Sequence, residues 1–215
     1  MRSRLDEDMA LLNKELIQMG ALCEEAIALA SKALAGEREL ARQVSALEAE
    51  TDQMERDIET RCLKVLLRQQ PVARDLRQIS AALKMITDLE RIGDQADDIA
   101  EIILSLDSRN WLDTDAIRQM AEMATRMVTQ SVDAYVRRDL DLAREVERSD
   151  DQVDAAFERM KGALIELLAK DPSQGEYALD LLMIAKYFER IGDHAVNIAQ
   201  WVMFSITGTH SEVGL

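Results

Sequence analysis

Leu89-Glu90-Arg91-Ile92-Gly93-Asp94-Gln95-Ala96-Asp97-Asp98-Ile99-Ala100 and Phe188-Glu189-Arg190-Ile191-Gly192-Asp193-His194-Ala195-Val196-Asn197-Ile198-Ala199 read as one segment written twice. Eight of the twelve positions are identical, including the pentapeptide Glu-Arg-Ile-Gly-Asp. Self-similarity of this kind marks a duplicated structural unit. Outward from it the repeat weakens but persists. Leu40-Ala41-Arg42-Gln43-Val44 aligns with Leu142-Ala143-Arg144-Glu145-Val146, and the same register sets Glu48 opposite Asp150 and Asp52 opposite Asp154. Both prolines, Pro71 and Pro172, fall at equivalent joints, 101 residues apart.

The spacing of apolar residues predicts six helices. Leu5, Met9, Leu12, Leu16, Met19, Cys23, Ala26, Ala30 and Leu34 form one stripe over about 6–35, and Gly36 ends it as glycine commonly ends helices. Leu40, Val44, Leu47, Thr51, Met54, Ile58, Cys62 and Val65 form a near-heptad stripe over about 37–68, the pattern of long helices packed at shallow angles. Pro71 breaks that helix and starts the next, over about 72–106. The polar run 107–110 is the one linker, with Asp113 or Thr114 as the following cap. Helices over about 115–137, 140–170 and 176–206 repeat the plan. The expected organisation is all-α, a three-helix unit over 1–107 and its copy over 108–215.

Composition agrees. Of 215 residues only 8 are Gly and 2 Pro, too little turn punctuation for a sheet protein. A 47% hydrophobic fraction is too high for an acidic disordered chain. With 26 Lys+Arg against 41 Asp+Glu the net charge is −15, which excludes nucleic-acid binding by phosphate neutralisation. No apolar run approaches the ~20 residues of a membrane span, and the N-terminus lacks a signal-like apolar region, so a soluble cytoplasmic protein is expected. Cys23 and Cys62 lie on apolar stripes and read as core residues.

The residues able to carry chemistry are the repeated carboxylates. Glu90, Asp94 and Asp98 are spaced four apart and share a helix face, with Asp97 and Glu101 beside them. The copy carries Glu189, Asp193 and Asn197. This face lies opposite the stripe Met85, Leu89, Ile92, Ala96, Ile99 and Ile103, which argues for solvent. Earlier on the same helix, however, Leu76, Ile79, Leu83 and Ile86 occupy that side, so the acids are expected to emerge from a packed seam. Like charges at i, i+4 repel, and a hard or borderline cation such as magnesium, manganese or iron reverses that cost. Gly93 and Gly192 accept roughly 1 kcal/mol each inside helices, for close approach of a neighbouring helix or a distorted turn. Arg91 and Arg190 are expected to pair with carboxylates on neighbouring helices. His194 and His210 stand in no nucleophile–base arrangement, His194 reads as an interface residue, and Glu-x-x-His and phosphate-loop motifs are absent, so no enzyme is expected.

The run Arg68-Gln69-Gln70-Pro71-Val72-Ala73-Arg74-Asp75-Leu76-Arg77, Ala82-Leu83-Lys84, and both Glu-Arg-Ile-Gly-Asp segments resemble the PhoU family over essentially the whole chain. The resemblance implies two antiparallel three-helix bundles and a non-enzymatic cytoplasmic regulator of phosphate uptake. Such a regulator couples the ATPase subunit of a phosphate ABC transporter to a sensor histidine kinase and represses the phosphate-starvation response. It further implies a homodimer, membrane association only through partners, and bound iron, manganese, zinc or magnesium. Carried over by motif, the ligands are Glu90 with Asp94 and Glu189 with Asp193. Asp98 and its counterpart Asn197 flank them, and Glu48, Asp52, Asp150 and Asp154 come from the preceding helix. Two alternatives stay open: a metal-buffering bundle, and an accessory subunit of a secondary phosphate or anion transporter.

Overall fold

The computed structural model describes residues 2–69, 71–106 and 115–209. The linker at 107–110, the cap at Asp113 or Thr114, His210 and the boundary at 107/108 lie outside them. The helices are α1 Arg2–Leu34, α2 Val44–Gln69, α3 Ala73–Ser105, α4 Asp115–Arg137, α5 Leu140–Lys170 and α6 Gly175–Thr207. Short 3-10 turns, Arg38–Gln43 and Pro172–Gln174, precede α2 and α6. No strand occurs among the described residues.

The boundaries have local causes. After α1 the chain reverses at Gly36, whose φ of 121° suits glycine. The second segment does not begin as an α-helix at residue 37. It enters through a 3-10 turn in which Arg38 donates to the Leu104 carbonyl, placing a cation at the C-terminal end of α3. Asp139 caps α5, its carboxylate accepting from the Asp141 and Leu142 amides at 3.1 and 3.0 Å. Gly208 closes α6 in the left-handed conformation.

α1, α2 and α3 run antiparallel in turn. Glu15 meets Arg61 and Asp8 meets Gln69 between α1 and α2. Ser45 meets Asp97 and Glu55 meets Thr87 between α2 and α3. The same order joins α5 to α6 through Glu147 and Gln200. The stripe residues bury as expected: Leu12, Leu16, Met19, Cys23, Val44, Ile58, Cys62 and Val65 are all interior. Both cysteines are free, and burial pushes their thiols up to about 12. Cys23 donates to the Leu89 carbonyl at 3.2 Å.

The halves do not merely sit in tandem. α3 packs along α6, and α1 along α4, so one hydrophobic core runs through both bundles. Where α3 crosses α6 the repeat folds onto itself. Asn197 donates to Asp88 at 3.1 Å, His194 Nδ1 lies 2.9 Å from the same carboxylate oxygen, and Asp98 accepts from Tyr187. Shifting by the 99 residues that separate the two segments exchanges Asp88 with Tyr187 and Asp98 with Asn197. The Asp88–Asn197 and Tyr187–Asp98 contacts are therefore the same contact, seen from either side of a pseudo-twofold axis.

Candidate functional site

Two groups of carboxylates line the α2/α3 and α5/α6 seams. In the first, Glu48 and Asp52 of α2 face Asp94 of α3, each offering a carboxylate oxygen within 4.8 Å of the others. Glu90 lies one turn before Asp94, its side chain only 17% exposed. Burial, then Asp94, raises the Glu90 carboxyl against the pull of Arg91. Burial followed by Asp52, Asp97 and Asp94 raises Glu48. The seam expected from the changing character of α3 is present: Ile79 and Ile86 are buried and the acids emerge beyond them, although Leu76 is exposed.

The second group repeats the first. Asp150 and Asp154 of α5 face Glu189 and Asp193 of α6. Burial, reinforced by Asp154, Asp193, Glu189 and Asp151, pushes the Asp150 carboxyl up from 3.8 to about 6. Its Oδ1 is buried and accepts no hydrogen bond. Desolvation and Glu189 raise Asp193 as well, although Lys186 opposes them. Lys186 also pairs with Glu189, whose side chain is 13% exposed.

The two repeated glycines sit where the helices meet these acids. A methyl group at Gly192 would stand 3.5 Å from Asp150 Oδ1, and one at Gly93 would stand 3.4 Å from Thr51 Cγ2. Neither is a severe clash. At Gly192 the α6 backbone comes close to a buried carboxylate oxygen. An oxygen-only donor set and an orphaned buried oxygen fit a hard cation.

Two sequence-derived ligands point elsewhere. Asp98 and Asn197 face the α3/α6 axis, bonded to Tyr187 and Asp88. The amide at 197 is the donor that Asp88 requires. Arg91 pairs with Glu90 at 3.3 Å and Asp94 at 2.9 Å, on its own helix rather than a neighbour. Arg190 acts electrostatically on Tyr187. Sequence reading missed Asp88, Tyr187, Glu55 and Lys186. The signal for the first two was the short list of positions at which the copies differ.

The PhoU domain family matches the chain twice, over residues 16–103 and 117–202. The chain belongs to the PhoU family. Each PhoU match contains one carboxylate group. A relative in Clostridium acetobutylicum, a phosphate-specific transport system accessory protein PhoU homolog, is 36% identical over 96% of this chain and 96% of its own. The crystal structure of PhoU from Pseudomonas aeruginosa superposes with a TM-score of 0.90 at 33% identity, covering 95% of this chain and 99% of that one. The phosphate transport system regulatory protein PhoU from Streptococcus pneumoniae also gives 0.90, at 25% identity, covering 97% and 100%.

Proposed function

We propose that this chain is a non-enzymatic accessory regulator of a phosphate-specific transport system. The observation that carries the reading is the double PhoU match with one seam of carboxylates in each half. The regulator works in the cytoplasm, as a homodimer, between the ATPase subunit of a phosphate ABC transporter and a sensor histidine kinase. It represses the starvation response when phosphate is plentiful. No described helix is long and apolar enough to cross a membrane. The units 1–107 and 108–215 each supply one metal site. Glu48, Asp52, Glu90 and Asp94 would hold one ion, and Asp150, Asp154, Glu189 and Asp193 the other. Iron, manganese, zinc or magnesium bound there would cancel the like-charge repulsion across each seam and fix the angle between paired helices.

Deletion of the gene is expected to switch on phosphate-scavenging genes in phosphate-rich medium. A pull-down from phosphate-replete cells is expected to recover a transporter ATPase and a histidine kinase. Normal repression in the deletion strain, with altered metal tolerance instead, would favour a metal-buffering bundle. The buried, unbonded Asp150 Oδ1 is the observation that supports that second reading. Recovery of a secondary anion transporter would point to the third.

A further inference from the structure

The corner where α2 turns into α3 has a chemistry unlike the rest of the molecule. Leu63 and Leu67 end α2, and Val72 and Leu76 begin α3, each pair separated by four residues and so sharing a face. These are four of the nine large exposed apolar side chains among the described residues, gathered around one turn. Leu67 is 84% exposed and Val72 69%, so the tip projects rather than lining a groove.

Cations surround the tip. A cleft of about 630 Å³ between the first turns of α1 and the last turns of α2 is lined by Arg4, Arg61, Lys64 and Arg68. Arg61 is held by Glu15 at 2.5 Å, whereas Arg4, Lys64 and Arg68 lie exposed. Glu7 and Asp8 form the opposite wall, with Asp8 accepting from Gln69 at 3.3 Å. Across the turn, Arg74, Arg77 and Arg138 crowd together with Asp75, and the repulsion of Arg74 and Arg77 adds to burial in lowering the Arg138 guanidinium. Arg4 and Arg74 stand in the first turns of their helices, where the helix dipole disfavours a cation. Glu7 and Asp8 beside Arg4, and Asp75 beside Arg74, offset that placement only in part. An external anion would offset the rest.

We propose that this corner docks directly on an anionic lipid surface. Leu67 and Val72 enter the interface of the bilayer, and Arg4, Lys64, Arg68 and Arg74 hold the phosphate groups of its lipids. This goes beyond the regulatory reading and replaces the expectation that membrane association runs only through partners. Apolar side chains flanked by cations are the chemistry of interfacial binding, in which burial and lipid charge act together. Of the net charge of −15, the carboxylates that oppose it at close range are Glu7, Asp8 and Asp75, which the surrounding cations outnumber. Asp94 lies 21 residues along α3 from Ala73, about 30 Å at helical rise, several times the Debye length of about 8 Å. The α2/α3 carboxylate seam is therefore screened from a surface touching the corner.

The test uses the purified full chain and vesicles, without any transporter or kinase, so it stands or falls independently of the proposed function. The chain should float with vesicles of equimolar phosphatidylglycerol and phosphatidylcholine, and not with phosphatidylcholine alone. The double variants Leu67→Asp with Val72→Asp, and Arg68→Ala with Arg74→Ala, should keep their circular dichroism. The second should lose about fivefold in partition for each cation removed. An environment-sensitive dye on Val72→Cys should shift to the blue on anionic vesicles, since Cys23 and Cys62 are buried and escape labelling. Absence of flotation on anionic vesicles overturns the proposal, as does flotation unchanged in both variants. Displacement by inorganic phosphate beyond that by chloride of equal ionic strength also overturns it, by making the cleft a site for free phosphate.

Discussion

Replacing Asp150 by Asn should stabilise the metal-free protein at neutral pH and not at acid pH. The carboxyl is raised from 3.8 to about 6 by burial, with the charges of Asp154, Asp193 and Glu189 adding to it. A group whose folded-state value exceeds its unfolded value favours folding in its protonated form. That contribution is full below about pH 3.8 and is lost as pH rises through about 6. The difference between the two protonation states corresponds to about 3 kcal/mol before screening. Asp150 is only partly buried, so solvent cuts this by about half, to about 1.5 kcal/mol. An amide keeps the shape and removes the charge. For a chain of this size about 1.5 kcal/mol is about 3–6 °C in melting temperature. Thermal unfolding in chelator above about pH 7 should show that gain, and the gain should fall to about half near pH 5 and vanish below about pH 3.8. Adding divalent metal should stabilise the native protein and leave the Asn variant behind, through loss of binding linkage. An Asn variant that melts with or below the native protein at neutral pH would refute the reasoning. So would a gain of equal size at both pH values.

Gly192→Ala should raise apo stability by up to about 1 kcal/mol through helix propensity, while calorimetric metal titration shows affinity reduced about tenfold as the methyl crowds Asp150 Oδ1. Asn197→Asp should lower the melting temperature by about 2–4 °C, because it sets a second carboxylate against Asp88; elemental analysis should find no additional metal, and Asp88→Asn should restore stability. Binding to a partner with a complementary basic patch should slow in on-rate as salt rises, with the off-rate changing less, in surface plasmon resonance across a salt series. An on-rate indifferent to salt would remove the acidic surface from recognition.

The six helices were legible because long stripes and sparse Gly and Pro leave little choice of period. Leu12, Leu16, Met19 and Cys23 went inside as their spacing demands. Segment four was placed at 115–137, where α4 lies. The 3-10 entry at Arg38–Gln43 was not legible, because the tie that shapes it runs to Leu104, distant in sequence. Among the carboxylates, Glu48, Asp52 and Asp94 were legible as a group because the repeat aligned two different helices at once. Asp98 turns towards Tyr187 for a geometrical reason. Residues four apart share a face only roughly, and over Glu90, Asp94 and Asp98 the drift carries the last acid from the α2 side towards α6. Sequence spacing also says nothing of what lies across the face, and here that was Tyr187.

The polar contacts at the α3/α6 crossing decide which halves can mate. Two N-terminal halves brought together about the same axis would set Asp88 against Asp98, one carboxylate facing another. Two C-terminal halves would set Tyr187 against Asn197, with the charged acceptor gone. Only the mixed pairing gives Asp88 its amide and imidazole partners and gives the Tyr187 hydroxyl its carboxylate. A duplicated chain carries the hazard that either copy can pair with its like on another molecule. Divergence at a few axial positions removes that hazard by making the wrong pairings repulsive or unsatisfied, while the apolar letters on both sides stay nearly unchanged.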